Sequence, residues 1–515
     1  MLDLGTSFLA SVARDPDALA LVDGDVRLRY RQWFAKISSL VAAFDRVGLK
    51  PGDHLLTALQ NTWQAATVHW ACQLTGLIIT PVNWRVTADE LDFCIENSES
   101  RALIYQDVSA SAVKASTRAS NLIVMRAGSG PTDGELLLDA LCDEPADRAQ
   151  PRVNADAWSI MLYTSGTTSR PKGVPRRHHA ERAAGVAHVA QNLYRRGECT
   201  LGVMPLYHTM GVRSLIAMSL IGGTFVCLPR FDPQRALSLI ASERVTNLYL
   251  VPTLYHDLVH CDAFAQSDIS SVCKLGFAGA PMTDGLLQKL AESFQPDLFV
   301  NHYGSSEIYT FTIEQDAAAK PGAAGKAGIN QQVKVVKLNA ASTHQIADVG
   351  MEGEIVALLA GDESFEGYWR RPDADARALR DGWYFTGDTG YMDQDGDLFV
   401  TGRVDDMIIS GGENISPVEI ESCLSLHPAV REVAVVGLPD ERLGKAVTAF
   451  VKRSQPVTEQ ELDSHCRDSG LAAFKRPRRF VFVDAIPKSP VGKLLRRMLV
   501  AGDYQVEAMP PPNAA

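Results

Sequence analysis

The chain reads as an α/β protein with largely parallel sheets, followed by a separate small α+β domain. Three observations lead there. Apolar runs of strand length (102–105, 122–125, 224–228, 248–251) alternate with amphipathic runs of helix length such as 233–243, the pattern of strand–helix–strand units. From Thr386 the texture changes, with turn signals at Gly387-Asp388, Asp395-Gly396-Asp397 and Gly411-Gly412. Beyond them a helix is expected near 417–426, a strand near 433–437 and a helix near 459–469. The length of 515 residues also exceeds what one core ordinarily organises.

Composition narrows the class. Hydrophobic residues make up 46% and charged residues 22%, ordinary for a globular protein. A formal charge of -11 argues against nucleic acid or an anionic membrane as partner. The nine cysteines are scattered and odd in number, with no C-x-x-C pair; buried free thiols are expected rather than disulfides or a zinc site. Acidic residues stand in the first 25 positions, where a signal peptide would be basic. The most apolar run, 215–228, is too short to span a bilayer and is interrupted by Gly222 and Gly223. A cytoplasmic location is expected.

Five clusters carry chemistry. The run from Tyr163 through Thr164, Ser165, Gly166, Thr167, Thr168, Ser169, Arg170 and Pro171 to Lys172 and Gly173 is small and hydroxylic. Its backbone N–H groups and hydroxyls can converge on phosphate oxygens while Lys172 adds a full charge. It is not the P-loop spacing, since Pro171 stands at the second glycine position. Asn301 to Glu307 brings an aromatic, a glycine, two hydroxyls and a carboxylate together. Glu307 can hold Mg²⁺ through oxygen, and Tyr303 can stack on a base; a strand end with a turn is the plain alternative. Asp388, after a tight turn, can accept from both ribose hydroxyls or merely cap the turn. Arg403, in Gly402–Asp406, offers a planar fork to ribose or phosphate or makes a surface ion pair. Last, 487–493 uses two prolines and a glycine to present Lys493.

In order and spacing these clusters resemble the adenylate-forming superfamily of acyl- and aryl-CoA ligases, nonribosomal-peptide adenylation domains and luciferases, over nearly the whole chain. The 163–173 run is similar to the family's phosphate loop, with Ser169 in place of a glycine. Tyr303–Glu307 is similar to its Tyr-Gly-x-Thr-Glu, with Ser306 at the threonine. Thr386–Asp388, Gly402–Asp405, Gly411–Ile415 and Pro487–Lys493 also match. Met204–His208, together with Gly402–Ile415, most resembles 4-chlorobenzoate- or benzoate-type CoA ligases.

The resemblance implies a large N-terminal adenylation domain of mixed sheets flanked by helices, residues 1–404, and a small mobile lid, 405–515, hinged at Asp405. It implies an ATP-dependent carboxylate–CoA ligase releasing AMP and pyrophosphate, with Mg²⁺ as cofactor and ATP and CoA as co-substrates. Catalytic roles fall to Lys493, Lys172, Glu307 and His208. The nucleotide would be held by Thr164, Ser165, Gly166, Thr167, Thr168, Lys172, Gly279, Ala280, His302, Tyr303, Gly304, Ser305, Asp388, Arg403 and Lys493. CoA would meet Gly411, Gly412, Phe474, Lys475 and Arg476; the basic run 475–479 is otherwise a solvated face. A homodimer is left open.

For the acyl pocket the resemblance and position suggest Val186, His208, Thr209, Met210, Tyr249, Ala280, His302, Ile308, Tyr309 and Thr310. This wall mixes flat apolar surface with hydroxyl and imidazole groups, which favours a small ring carboxylate over an alkyl chain. A long fatty acid, or a carrier-protein thiol as acceptor, is the alternative. No arginine or lysine stands in the set, which disfavours a dicarboxylate unless Arg213 turns inward.

Overall fold

A computed structural model describes residues 1–128, 136–164, 171–340, 342–403, 407–411, 413–488 and 494–507. Among these, two large sheets build the N-terminal three-quarters of the chain. The seven-stranded sheet runs in the order Leu136–Leu137, Ile123–Ala127, Ala102–Gln106, His54–Ala58, Ile78–Pro81, Trp158–Thr164, Lys172–Arg177. Its neighbours pair parallel except the last two strands, which form an antiparallel hairpin.

The second sheet has 14 strands and is mixed. Thr224–Cys227, Cys199–Gly202, Asn247–Leu250, Lys274–Ala278 and Leu298–Tyr303 pair parallel in that order. From Leu298–Tyr303 onward every pairing through Leu398–Arg403 is antiparallel. The largely parallel expectation therefore holds only up to residue 303. Beyond it no helix-length connection separates Leu298–Tyr303 from Thr312–Glu314 or Ala323–Ala327, and a short connection permits only antiparallel return.

Helix ends follow local chemistry. Asp232 accepts from the Arg235 N–H and Pro233 occupies the first turn of Pro233–Glu243. Thr209–Ile221 starts at His208, whose ring accepts from the Met210 N–H, and ends on Gly222 at φ 69°. Helices from both flanks bury aromatic rings between the sheets: Phe8 stacks on Trp70 at 4.6 Å and meets Trp33 edge-on at 5.4 Å. Large rings of this kind supply much of the apolar area that drives folding.

The C-terminal part has its own core around Ile420, Leu424, Val435, Val447 and Leu462. Val430–Asp440 and Gly444–Arg453 pair antiparallel, and Arg479–Phe482 adds parallel. The helices are Pro417–Ser425 and Glu459–Asp468, the latter opened by a Thr458/Glu461 capping box. This part touches the larger one where His256 Nε2 lies 3.0 Å from the Arg431 carbonyl. It does so again at Gly285, where a Cβ would stand 2.6 Å from the Ser425 oxygen. The expected boundary at 404/405 and the hinge at Asp405 lie outside the described residues.

On the antiparallel flank, Asp393, Asp395 and Asp397 gather on one turn. Lys320 places its ammonium among them, at 2.5, 3.0 and 2.5 Å, and Lys326 adds a second contact to Asp397 at 2.7 Å. No helix among the described residues is long and apolar enough to cross a membrane.

Candidate active site

Parallel strands end together, and their C-terminal ends are where open α/β sheets place ligands. Gly279 and Ala280 follow Lys274–Ala278, Tyr249 lies near the end of Asn247–Leu250, and His302 and Tyr303 close Leu298–Tyr303. The hairpin of the other sheet brings Thr164 opposite Lys172 in register. Ser165, Gly166, Thr167 and Thr168, between them, lie outside the described residues.

Lys172 and Glu307 meet around one phenol. The Lys172 ammonium sits 3.9 Å from the centre of the Tyr368 ring, a cation–π contact. The Tyr368 hydroxyl donates to Glu307 Oε1 at 2.6 Å. Burial draws the Lys172 pKa below its ordinary value; Glu307 opposes this, and Arg371, Arg377 and Arg403 add to it. Burial, then the Glu307 charge, pushes the Tyr368 phenol up, so it stays a donor.

The turn that aims Glu307 is tight. A Cβ on Gly304 would stand 2.1 Å from the Tyr309 carbonyl oxygen, so only glycine passes there. The Ser305 N–H donates to the Ile308 carbonyl at 2.9 Å, and Ser305 Oγ accepts from the Glu307 N–H at 3.2 Å. Beneath the turn, buried Arg176 donates to the Glu307 carbonyl at 3.0 Å and pairs with Glu181. No hydrogen bond from the described residues reaches the second carboxylate oxygen of Glu307. A hard cation that takes one protein carboxylate and completes its shell with phosphates and water fits this donor.

Tyr303 and Asp388 are joined directly. The Tyr303 hydroxyl donates to Asp388 Oδ2 at 2.6 Å, and its ring meets Phe311 at 5.0 Å. Burial and the Asp388 charge raise the phenol's pKa well above its ordinary value. Asp388 pairs in register with Arg403, whose guanidinium lies 3.7 Å away. The Asp388 N–H donates to Thr386 Oγ1 at 3.0 Å.

The acyl-side residues divide. His208 is half-buried at the start of its helix. Gly211 permits that helix to lie on the preceding chain, since a Cβ there would stand 2.2 Å from the Pro205 oxygen. Thr209, Met210, Tyr249, His302, Ile308, Tyr309 and Thr310 are all buried. Val186 is not with them: it is 42% exposed on the outer face of His178–Gln191.

Arg213 does turn inward. It is 2% exposed, donates to Thr310 Oγ1 at 2.8 Å and to the Tyr309 carbonyl at 3.1 Å, and reaches the Tyr249 hydroxyl. Its charge faces Glu363, which also takes a bond from Asn330 at 3.1 Å. The expectation of a set without arginine or lysine thus meets its stated exception: helical spacing puts Arg213 one turn past Thr209, and the apolar helix buries every face there.

On the C-terminal part, Gly411 (φ 60°) donates its N–H to the Leu443 carbonyl at 2.9 Å. Phe474 is exposed, Lys475 pairs with Glu419 at 2.6 Å, and Arg476 is half-buried. Gly412 and Lys493 lie outside the described residues.

Several groups escaped sequence reasoning. Tyr368 comes from a loop with no motif. Arg176 and Glu181 form a buried pair, and the Tyr309 hydroxyl donates to Glu181 at 3.1 Å; two charges five apart across a strand–helix junction carry no recognisable pattern. His188, Asn192 and Glu363 are likewise brought in from distant elements.

The chain matches the AMP-binding enzyme family over residues 8–369 and the AMP-binding enzyme C-terminal domain over 419–493. It is 34% identical over 496 residues to a 4-chlorobenzoate–CoA ligase of Arthrobacter, covering 95% of this chain and 93% of that one. It is 32% identical over 483 residues to the long-chain-fatty-acid–CoA ligase FadD13 of Mycobacterium tuberculosis, covering 92% and 93%. ATP-bound MatB from Rhodopseudomonas palustris superposes with a TM-score of 0.87 at 26% identity, over 97% of this chain and 99% of that one.

Proposed function

The chain belongs to the AMP-binding enzyme family and is an ATP-dependent, AMP-forming acid–thiol ligase, and we propose that the acid it activates is a small aromatic one of benzoate type, transferred to CoA in the cytoplasm. The observation that carries this reading is the make-up of the acyl side. Tyr249 and His302 pack edge to face with ring centres 5.2 Å apart, amid hydrogen-bonding groups. A long alkyl chain there would leave those polar groups without partners, which is costly. The Arthrobacter relative supports the ring; FadD13 supports the competing reading, a long-chain fatty acid.

The chemistry needs no protein nucleophile. A carboxylate oxygen of the acid attacks the α-phosphorus of ATP, the bond to the β-phosphate oxygen breaks, and pyrophosphate leaves. Positioning and charge neutralisation supply the rate. In this reading Thr164 and the 165–168 run with Lys172 hold the departing phosphates. Asp388 takes the ribose hydroxyls, with Tyr303 and Arg403 fixing its direction, and Gly279, Ala280, His302, Tyr303, Gly304 and Ser305 border the adenine. Glu307 would hold Mg²⁺, which when bound neutralises phosphate charge. Lys493 bridges the carboxylate and the α-phosphate.

In the second half-reaction the CoA thiol attacks the acyl carbon and AMP leaves. The C-terminal part turns about Asp405 to withdraw Lys493 and bring Gly411 and Gly412 to the site, with Phe474, Lys475 and Arg476 toward CoA. Lys475 must exchange Glu419 for a phosphate in that step.

The test is ATP–pyrophosphate exchange across benzoates, cinnamates, cyclohexanecarboxylate and fatty acids. Ring acids are expected to lead. Exchange confined to long alkyl acids would overturn the aromatic reading.

A further inference from the structure

Behind the acyl side lies a set of buried polar groups whose bonds are incomplete. His188, Tyr249 and His302 form a triangle of rings with centroids 4.7, 5.2 and 5.2 Å apart. Asn192 Nδ2 lies 3.0 Å from both His188 Nδ1 and His302 Nε2. Asn192 Nδ2 also donates to the His188 carbonyl at 2.8 Å, so its two protons are shared among three acceptors; with the amide oriented this way, His188 Nδ1 accepts and the ring proton sits on Nε2. Arg213 closes the group through the Tyr249 hydroxyl. His188 is 0%, and Tyr249, Asn192, His302 and Arg213 are each 2% exposed. Yet among the described residues His188 Nε2, Arg213 Nε and His302 Nδ1 find no hydrogen-bond partner.

Two of these three atoms are fixed donors. His302 Nδ1 donates or accepts according to which bond Nε2 makes with Asn192. Buried donors are ordinarily satisfied, and the partner they ask for is an acceptor oxygen. A halogen accepts weakly and an alkyl group not at all. A second carboxylate is disfavoured because Arg176 is paired with Glu181, and Arg213 already donates to Thr310, the Tyr309 carbonyl and the Tyr249 hydroxyl. Burial holds both imidazoles neutral, so they add no cation.

Resting on the aromatic reading above, we propose that the acid activated by this enzyme carries an uncharged oxygen substituent, a hydroxyl or carbonyl, on the ring remote from its reacting carboxylate, and that Arg213, His188 and His302 select it. None of the three touches the reacting atoms; they set specificity. A site built to bond an oxygen rejects the analogue lacking it, because its own donors are then stranded.

The experiment compares kcat/KM in ATP–pyrophosphate exchange for benzoate, the three hydroxybenzoates, acetyl-, chloro- and methylbenzoates, and benzenedicarboxylates. The wild-type enzyme is expected to favour its best hydroxy or acetyl acid over benzoate by about 100-fold. In Arg213→Met this ratio should fall toward one through KM for the substituted acid, with KM for ATP unchanged. Equal use of substituted and plain benzoates, or a preference for chloro, methyl or dicarboxylic acids, would make the cluster a structural polar core only and overturn the proposal. A ratio unmoved in folded Arg213→Met would do the same. The wild-type ratio decides the matter if that variant does not fold. Exchange with no ring acid at all would instead sink the aromatic reading itself.

Discussion

The nucleotide side and the acyl side of this enzyme use polar residues in opposite ways. Around Lys172, Tyr368, Glu307 and Asp388 the groups stand near hairpin and strand ends and meet through single hydrogen bonds and a cation–π contact. Around Arg176, Arg213, Glu181 and Glu363 the charges are within 2% of complete burial; Arg176 pairs with Glu181, while Arg213 and Glu363 are held by neutral partners. In the reading proposed above, the first region directs its charge at a charged ligand, while the second holds shape and leaves only a few uncharged donors for the substrate. Substitutions should therefore cost rate on one side and stability on the other.

The largest effect is expected on the nucleotide side. Lys493→Ala should slow adenylate formation on the order of 1000-fold, as loss of a charge-stabilising group does, while thioesterification of supplied acyl-AMP persists. Single-turnover assays of each half-reaction measure this, and equal loss in both would contradict the assigned role. Arg176→Met tests the other side. It strands Glu181 in the core and frees the Glu307 turn, so unfolding free energy should drop by about 3–5 kcal/mol. A thermal midpoint close to wild type would erase the proposed contrast.

Glu307→Gln separates the two more finely. The amide oxygen keeps the Tyr368 bond, so the melting temperature should hold, yet adenylate formation should fall on the order of 100-fold with a steeper need for Mg²⁺. A pH dependence tests the buried histidines separately. Burial lowers the pKa of His54 and His178 to about 4 and of His69 to about 3, and carries His188 and His302 well below the ordinary value. The folded chain keeps these imidazoles neutral while the unfolded chain takes up protons below pH ~6.5. Their contribution to stability is intact above that pH and is lost as pH falls toward 4, by about 1.4 kcal/mol per unit per histidine. A melting temperature flat between pH 7 and 5 would refute this.

What the sequence made legible was local in the chain. The 303–307 turn and Asp388 with Arg403 are short motifs whose residues the structure brings together, Tyr303 on Asp388 and Asp388 beside Arg403; residues 165–170 of the phosphate run lie outside the described residues. Strand and helix positions such as 248–251 and 459–469 followed from periodicity alone. The acyl side was not legible in the same way. Its groups come from residues 176, 188, 213, 249, 302 and 363, and no periodicity joins an arginine on one helix to a glutamate 150 positions on. Arg213 could be flagged only conditionally, since an apolar helix hides which face its one charge takes. Val186 was drawn in by position, whereas Gly185 is the residue that turns toward Ile216.

The Lys320 ammonium among Asp393, Asp395 and Asp397 has a practical corollary. The turn brings its own permanent counter-ion, so its folding borrows nothing from dissolved calcium or magnesium. Chelation is expected to leave the sheet's far flank standing, so under the magnesium role proposed for Glu307 a metal titration would report on catalysis and not on this turn.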